Sequence, residues 1–353
     1  MTTALATQVA FKEKTPEGHF GDLPDTSSTI LQARIKDLQL HLKGTRLERF
    51  IGQLYEELEA RGISLRPQCY LSDQWGCPSG VPVIGIPFYL ADPQLTQIEE
   101  RLGGGAEDER EIMMYLRHEA GHAINYAYKL YESEEWKKLF GDFGKPYLET
   151  YKPQPFSRKY VLHISGWYAQ KHPDEDFAET FAVWLTPQAR WAERYKGWGA
   201  LKKLQYMNET MGALGRTPAI VTLDERDVDV GEMEETVLDH YRQRQLAEKI
   251  DLQIGEQLDE DLINLFEPPS IVDVRADTLI RAERQGLLAA VSQYSGVSRA
   301  VVVSVLDHLT ERTTALNLTM KRDQAHHYTT RLTSLITALT MNYLYTDRFF
   351  ETE

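Results

Sequence analysis

The chain has 353 residues, with 39 Lys and Arg against 53 Asp and Glu, for a net charge of −14. That length suits one large domain or two modest ones with a real core, and the acidic excess argues against nucleic acid or an anionic membrane surface as a partner. No apolar run is long enough to span a bilayer, the N-terminus lacks a basic region followed by an apolar core, and Cys69 and Cys77 match no zinc or redox spacing, so the chain reads as cytoplasmic with two free thiols.

Residues 1–27 are mixed, with Gly and Pro, and read as a flexible tail. Ser28 or Thr29 is placed to cap a first helix bearing Ile30, Leu31, Ile35, Leu38 and Leu42, which Gly44 interrupts. A second helix carries Leu47, Phe50, Ile51, Leu54 and Leu58 and stops at Gly62. Residues 66–71 and 81–90 are then rich in strand formers. Pro82 and Pro87 exclude a central strand and favour an edge. Such an edge either offers main-chain hydrogen bonds to an extended peptide or is merely guarded against pairing. The glycines at 103–105 form a loop without the Lys-Ser/Thr of a phosphate cradle.

The next helix contains His118-Glu119-Ala120-Gly121-His122, an H-E-x-x-H pattern. Residues four apart share a helix face, so the two imidazoles can hold one Zn²⁺. Glu119 lies one step round the helix, placed to take a proton from a water activated by the metal. Ile112, Met113, Leu116, Ala120 and Ile124 give this helix a buried face, and the acidic residues from Glu107 to Glu111 suit its start. Two histidines are too few for a catalytic zinc, which takes three protein ligands. The compact alternative, a third His six residues on, is absent, because position 128 is Tyr.

Residues 131–165, with Gly141, Gly144, Pro146, Pro153 and Pro155, read as a loop-rich wall over a cleft. Tyr160 and His163 of this stretch, and Tyr168 just after it, are the polar groups best placed to reach the site. The third ligand is sought in His172-Pro173-Asp174-Glu175-Asp176-Phe177-Ala178-Glu179, where Glu175 and Glu179 are again four apart and Phe177, Phe181, Trp184 and Leu185 form an apolar side. One carboxylate can bind the metal while the other accepts the spare N–H of a ligand histidine. The same segment also reads as an acidic first turn with Asp174 as N-cap and His172 a mere neighbour of the helix start.

H-E-x-x-H followed at a distance by E-x-x-x-E resembles the gluzincin metallopeptidases. The stretch from Gly166 to Ala182 is similar to a family of zinc-binding metallopeptidases and, more loosely, to lethal-factor-type proteases. The resemblance covers residues from about 60 to 190. It implies Glu175 as third ligand, Glu179 as partner of a ligand histidine, and Tyr168, seven residues before Glu175, as support for the oxyanion; from its position in the loop-rich stretch, His163 is the alternative for that task.

A helix from about 187 to 214, bearing Trp191, Tyr195, Trp198, Leu201 and Leu204, is expected to close this core. Residues 217–265 are acidic without the spacing of a calcium loop and read as a solvated connector. The last part carries apolar helix faces at Leu279, Leu287, Leu288, Leu332, Leu335, Leu339 and Leu344. Residues 289–301 mimic a helix-turn-helix, but the would-be reading helix from Ala300 to Leu306 is almost wholly apolar, which suits packing or dimerisation rather than a groove. His326-His327 has no third partner and reads as surface.

The expected architecture is α+β: a flexible tail at 1–27, a zincin-like catalytic domain at 28–215 with a small sheet and active-site helices, an acidic connector at 216–270 and a mainly helical region at 271–353. The expected function is hydrolysis of peptide or peptide-like amide bonds with one zinc per chain. Its parts are ligands His118, His122 and Glu175, base Glu119 and oxyanion support from Tyr168. Its partners are a peptide or protein substrate and a second copy through the C-terminal helices, not nucleic acid or membrane. The alternative is a catalytically silent zinc-binding regulator that uses those helices to bind a partner.

Overall fold

Apolar residues spaced three and four apart build most of this protein. A computed structural model describes residues 25–102, 105–148, 151–248 and 254–350. Among them the fold is mainly helical, with two two-stranded sheets. Most of the tail expected at 1–27, and the first two glycines of the 103–105 loop, lie outside the described residues.

Helix α1 (Asp25–Gln32) is shorter than its apolar pattern suggests. The following backbone is drawn off by a distant segment: Ile35 N–H donates to Glu235 O at 3.0 Å and Lys36 N–H to Met233 O at 3.1 Å. Helix α2 (Arg46–Ala60) begins at Thr45, whose hydroxyl accepts the Leu47 N–H, and buries Leu47, Phe50, Ile51, Leu54 and Leu58.

Strands β1 (Gln68–Ser72) and β2 (Val83–Pro87) pair in parallel, from Gln68 against Val83 to Ser72 against Pro87. The prolines bound β2 as expected, and Phe88–Ala91 turns into a 3₁₀ helix. Of the two expected uses of this edge, an exposed one for an extended peptide is not there. All five residues of β2 are buried, and the outer N–H and C=O of Gly85 are taken by Gly76 at 2.8 and 3.3 Å. Val83, Ile84 and Ile86 are apolar on both faces of the strand, so burial on both sides satisfies them.

Helix α3 (Pro93–Leu102) leads to α4 (Glu109–Ala127). Asp108 and Glu111 form a reciprocal capping box at its start, each side chain accepting the other's backbone N–H, at 2.8 and 3.0 Å. Arg117 on α4 makes a two-pronged ion pair with the buried Glu57 of α2, both contacts at 2.7 Å. Helix α5 (Glu134–Phe140) stands in the loop-rich stretch. Helix α6 (Pro173–Leu185) has His172 as N-cap and Pro173 in its first turn, and every one of its residues is buried. The helices α4 and α6 touch where a Cβ added to Gly121 would lie 2.8 Å from the Ala178 Cα. A side chain there would push the pair apart. The single closing helix expected over 187–214 is instead two, α7 (Trp191–Arg194) and α8 (Ala200–Leu214), separated near Gly197 at φ +79°.

The apolar core around these elements extends to Met233, Val237 and Tyr241, the last two on α9 (Val237–Glu248). A second core begins at Ile254 and runs to Phe349. The acidic stretch therefore contributes side chains to both. The second core is built by α10 (Asp259–Leu265), α11 (Ala276–Ser295), α12 (Arg299–Ala315) and α13 (Ala325–Thr346), with a short antiparallel pair β3 (Val274–Arg275) and β4 (Thr319–Met320). Helices α11 and α12 follow one another across a short turn at Gly296, and Val301, Val302, Val305 and Leu306 of α12 are buried in that core, as the packing reading expected. His326 and His327 are exposed at the start of α13, and both cysteines are free. No described helix is long and apolar enough to cross a membrane.

Candidate metal centre

Helix α4 presents His118, Glu119 and His122, and helix α6 presents Asp174, Glu175 and Glu179; all six are buried. The Nε2 atoms of His118 and His122 lie 3.1 Å apart. Glu175 Oε2 is 3.0 Å from the first and 3.2 Å from the second. Each Nδ1 faces a different carboxylate: His118 meets Glu179 Oε1 at 2.9 Å and His122 meets Asp174 Oδ2 at 3.0 Å.

These partners decide what the cluster can hold. A neutral imidazole has one N–H. Donated from Nδ1 to a carboxylate, it leaves a lone pair on Nε2. Two such lone pairs and a carboxylate oxygen then converge, an arrangement that repels itself unless a cation lies among them. A tetrahedral zinc ion with bonds of about 2.0–2.1 Å has ligand-to-ligand edges of roughly 3.3 Å, close to the triangle observed. Donor types, tautomers and spacing all fit zinc. Among the described residues, His118, His122 and Glu175 are the group whose ligand atoms cluster in this way.

The outer partners are themselves held. Glu179 Oε2 accepts the Ile164 N–H at 2.9 Å. Asp174 Oδ1 accepts from Asn125 at 2.8 Å, and the Tyr126 hydroxyl donates to Asp174 Oδ2. Charge follows the same plan. Burial disfavours a proton on His118, but hydrogen bonds to Glu175 and Glu179 outweigh it and raise its pKa to about 9. Burial likewise opposes charge on His122, and Asp174 and Glu175 raise it well above the usual range. Burial would push the Glu175 carboxyl up, yet His122 and His118 hold it well below the ordinary value. A site with this preference for positive charge takes up either protons or a metal, in competition.

Glu119 differs from its neighbours. Burial raises its pKa against the pull of His118 and His122. Among the described residues nothing hydrogen-bonds its carboxylate, so it stands near His118, His122 and Glu175 with its acceptors free.

Residues 85–210 match a family described as putative zinc-binding metallo-peptidase. No curated protein and no solved structure matches the chain. The matched segment runs from β2 into α8, so it contains both metal-centre helices and the family resemblance seen in the sequence, while α9 to α13 lie outside it.

Within the matched segment, the residues singled out from sequence divide. His118, His122, Glu175 and Glu179 meet as described, and the Tyr168 ring sits 5.6 Å from that of His118. Its hydroxyl is 3.3 Å from Glu175 Oε1. His163 is turned elsewhere, with Nε2 on the Met114 carbonyl at 2.9 Å, and burial lowers its pKa. Asp174 is not the N-cap. His172 takes that place, accepting the Asp174 N–H at 3.2 Å through Nδ1, and so frees the Asp174 carboxylate for His122. A signal for this was present: two histidines one turn apart need two acceptors about one turn apart on a facing antiparallel helix, which Glu179 and Asp174 supply. Tyr147 had no such signal. It reaches Glu175 Oε1 from the loop after α5, a hydrogen bond that no local spacing announces.

Proposed function

We propose that the protein is a zinc-dependent hydrolase of peptide or peptide-like amide bonds, with one zinc per chain and a zincin-like core in which α4 and α6 are the active-site helices. One arrangement carries this reading: two imidazole lone pairs and one carboxylate oxygen converge while a partnerless carboxylate, Glu119, stands beside them. His118, His122 and Glu175 would hold the ion. Bound there, zinc lowers the pKa of water to roughly 7 and polarises a carbonyl oxygen. The chain's own groups do the rest. Glu119 takes a proton from the attacking water and passes it to the leaving amine nitrogen; its raised pKa suits both halves of that task. Glu179 and Asp174 fix the tautomer and orientation of the two imidazoles. The Tyr168 hydroxyl lies on the same side as Glu175 Oε1 and is placed to donate to the carbonyl oxygen as it gains charge.

The test measures bound zinc and cleavage of a mixed peptide library, read by mass, for the wild type and Glu119→Gln. One zinc in each, with turnover lowered about 10²–10⁴-fold or more in the variant, supports the mechanism. Normal turnover by Glu119→Gln overturns it. Zinc in both proteins without any cleavage favours the silent, partner-binding alternative.

A further inference from the structure

The two oxygens of Glu175 have different surroundings. Oε2 faces the two histidine Nε2 atoms at 3.0 and 3.2 Å. Oε1 faces two phenols. The Tyr147 hydroxyl donates to it at short range. The Tyr168 hydroxyl lies 3.3 Å from Oε1 and 3.3 Å from the Tyr147 hydroxyl. Tyr147 is 48 % exposed. Its ring packs 5.3 Å from that of His172, the cap of α6, and the Lys171 ammonium sits 4.3 Å from its centroid, against 5.4 Å for Tyr168.

We propose that Tyr147 is a positioning residue that restricts Glu175 to one-oxygen ligation and leaves the Tyr168 hydroxyl to the substrate. The inference rests on the metal-centre reading above. A carboxylate can offer both oxygens to a metal unless one is engaged. An O–H donated to an ionised oxygen is among the stronger hydrogen bonds, and it keeps the Glu175 carboxylate from swinging both oxygens inward. The ligand set then stays at three protein atoms, with room for water and substrate. Of the two tyrosines, Tyr147 is the nearer donor to Oε1. Tyr168 sits at the long limit to both of its partners and loses little by turning toward a carbonyl oxygen. The cation nearer the Tyr147 ring draws on its electron density and favours it as the donor.

The experiment loads wild type, Tyr147→Phe and Tyr168→Phe with Co²⁺, whose visible spectrum is intense for four ligands and weak for five or six, and titrates each with a competing chelator. Tyr147→Phe should weaken metal affinity about 10- to 100-fold and give the weaker spectrum of a two-oxygen carboxylate. Tyr168→Phe should keep the wild-type spectrum and affinity. Thermal unfolding of the metal-free proteins checks that each variant folds. A wild-type spectrum and affinity in Tyr147→Phe overturns the proposal, as does the altered spectrum appearing in Tyr168→Phe alone. A wild type that takes up no Co²⁺ or Zn²⁺ is a different failure, that of the metal centre itself.

Discussion

Helices α4 and α6 touch where Gly121 meets Ala178, and helices α11 and α12 join at Gly296, where an added Cβ would lie 2.6 Å from Pro153 Cγ and 3.0 Å from Trp167 Cδ1. Both contacts depend on a missing side chain, but for different reasons. Gly121 sits inside a helix with ordinary dihedrals and gives up its Cβ to let two helices close. Gly296 is at φ +75°, where the backbone itself favours glycine. The interiors differ more. The first pair buries four carboxylates of α6, namely Asp174, Glu175, Asp176 and Glu179, against His118, His122 and Lys203. The second buries Leu287, Leu288, Val291, Val301, Val302 and Val305. Removing charge from water is costly even when it is paired, whereas apolar burial stabilises directly. The polar pair is therefore the costlier of the two to bury, and the apolar pair stabilises directly.

That contrast can be broken by cutting into each side. Leu288→Ala in the apolar pair should cost about 2–5 kcal/mol of unfolding free energy, read by denaturant titration, with zinc affinity unchanged. Lost zinc affinity would mean that the two regions are not separate in this respect. Gly121→Ala in the polar pair should cost less stability, about 1–3 kcal/mol of overpacking, slightly offset by the better helix propensity of Ala. On the proposed zinc site it should nevertheless weaken zinc binding, measured with a competing chelator, because His118 and His122 come from one side of that contact and Glu175 from the other. Equal zinc affinity in wild type and variant would show that the helices can separate without moving the ligands.

A smaller effect sharpens the comparison through pH. Asp176 is buried, and that burial, only partly offset by Lys203 at 2.5 Å, raises its carboxyl from 3.8 to about 7. The folded state thus holds this proton where the unfolded chain has released it. Its contribution to stability is fully present below the unfolded value and is lost as pH rises toward about 7, then stays flat. The stability difference between wild type and Asp176→Asn, followed by urea titration of the metal-free proteins, should move against the wild type across that interval. A difference independent of pH would place the Asp176 carboxyl at its ordinary value.

Much of this was legible in the sequence where the pattern was local. The acidic start of α4 follows from composition, and the apolar faces of α2, α4 and α6 and the i, i+4 pairs His118/His122 and Glu175/Glu179 follow from helical period. The apolar run of residues 300–306 already implied a packed helix. Features that depend on surroundings are another matter. The prolines indicate an edge but leave open whether it is offered or guarded, and Gly76 covers it; the helix expected over 187–214 breaks near Gly197.

What the sequence by itself determined was which side chains each helix carries on one face, because that is set by the repeat of the backbone. Only the tertiary structure decided which carboxylate meets which nitrogen. Glu175 faces both Nε2 atoms, Glu179 the Nδ1 of His118 and Asp174 the Nδ1 of His122. That assignment depends on the direction and register of two helices about fifty residues apart in the chain, fixed where Gly121 lets them touch. The arrival of Tyr147 at Glu175 depends on a loop path that no periodicity encodes.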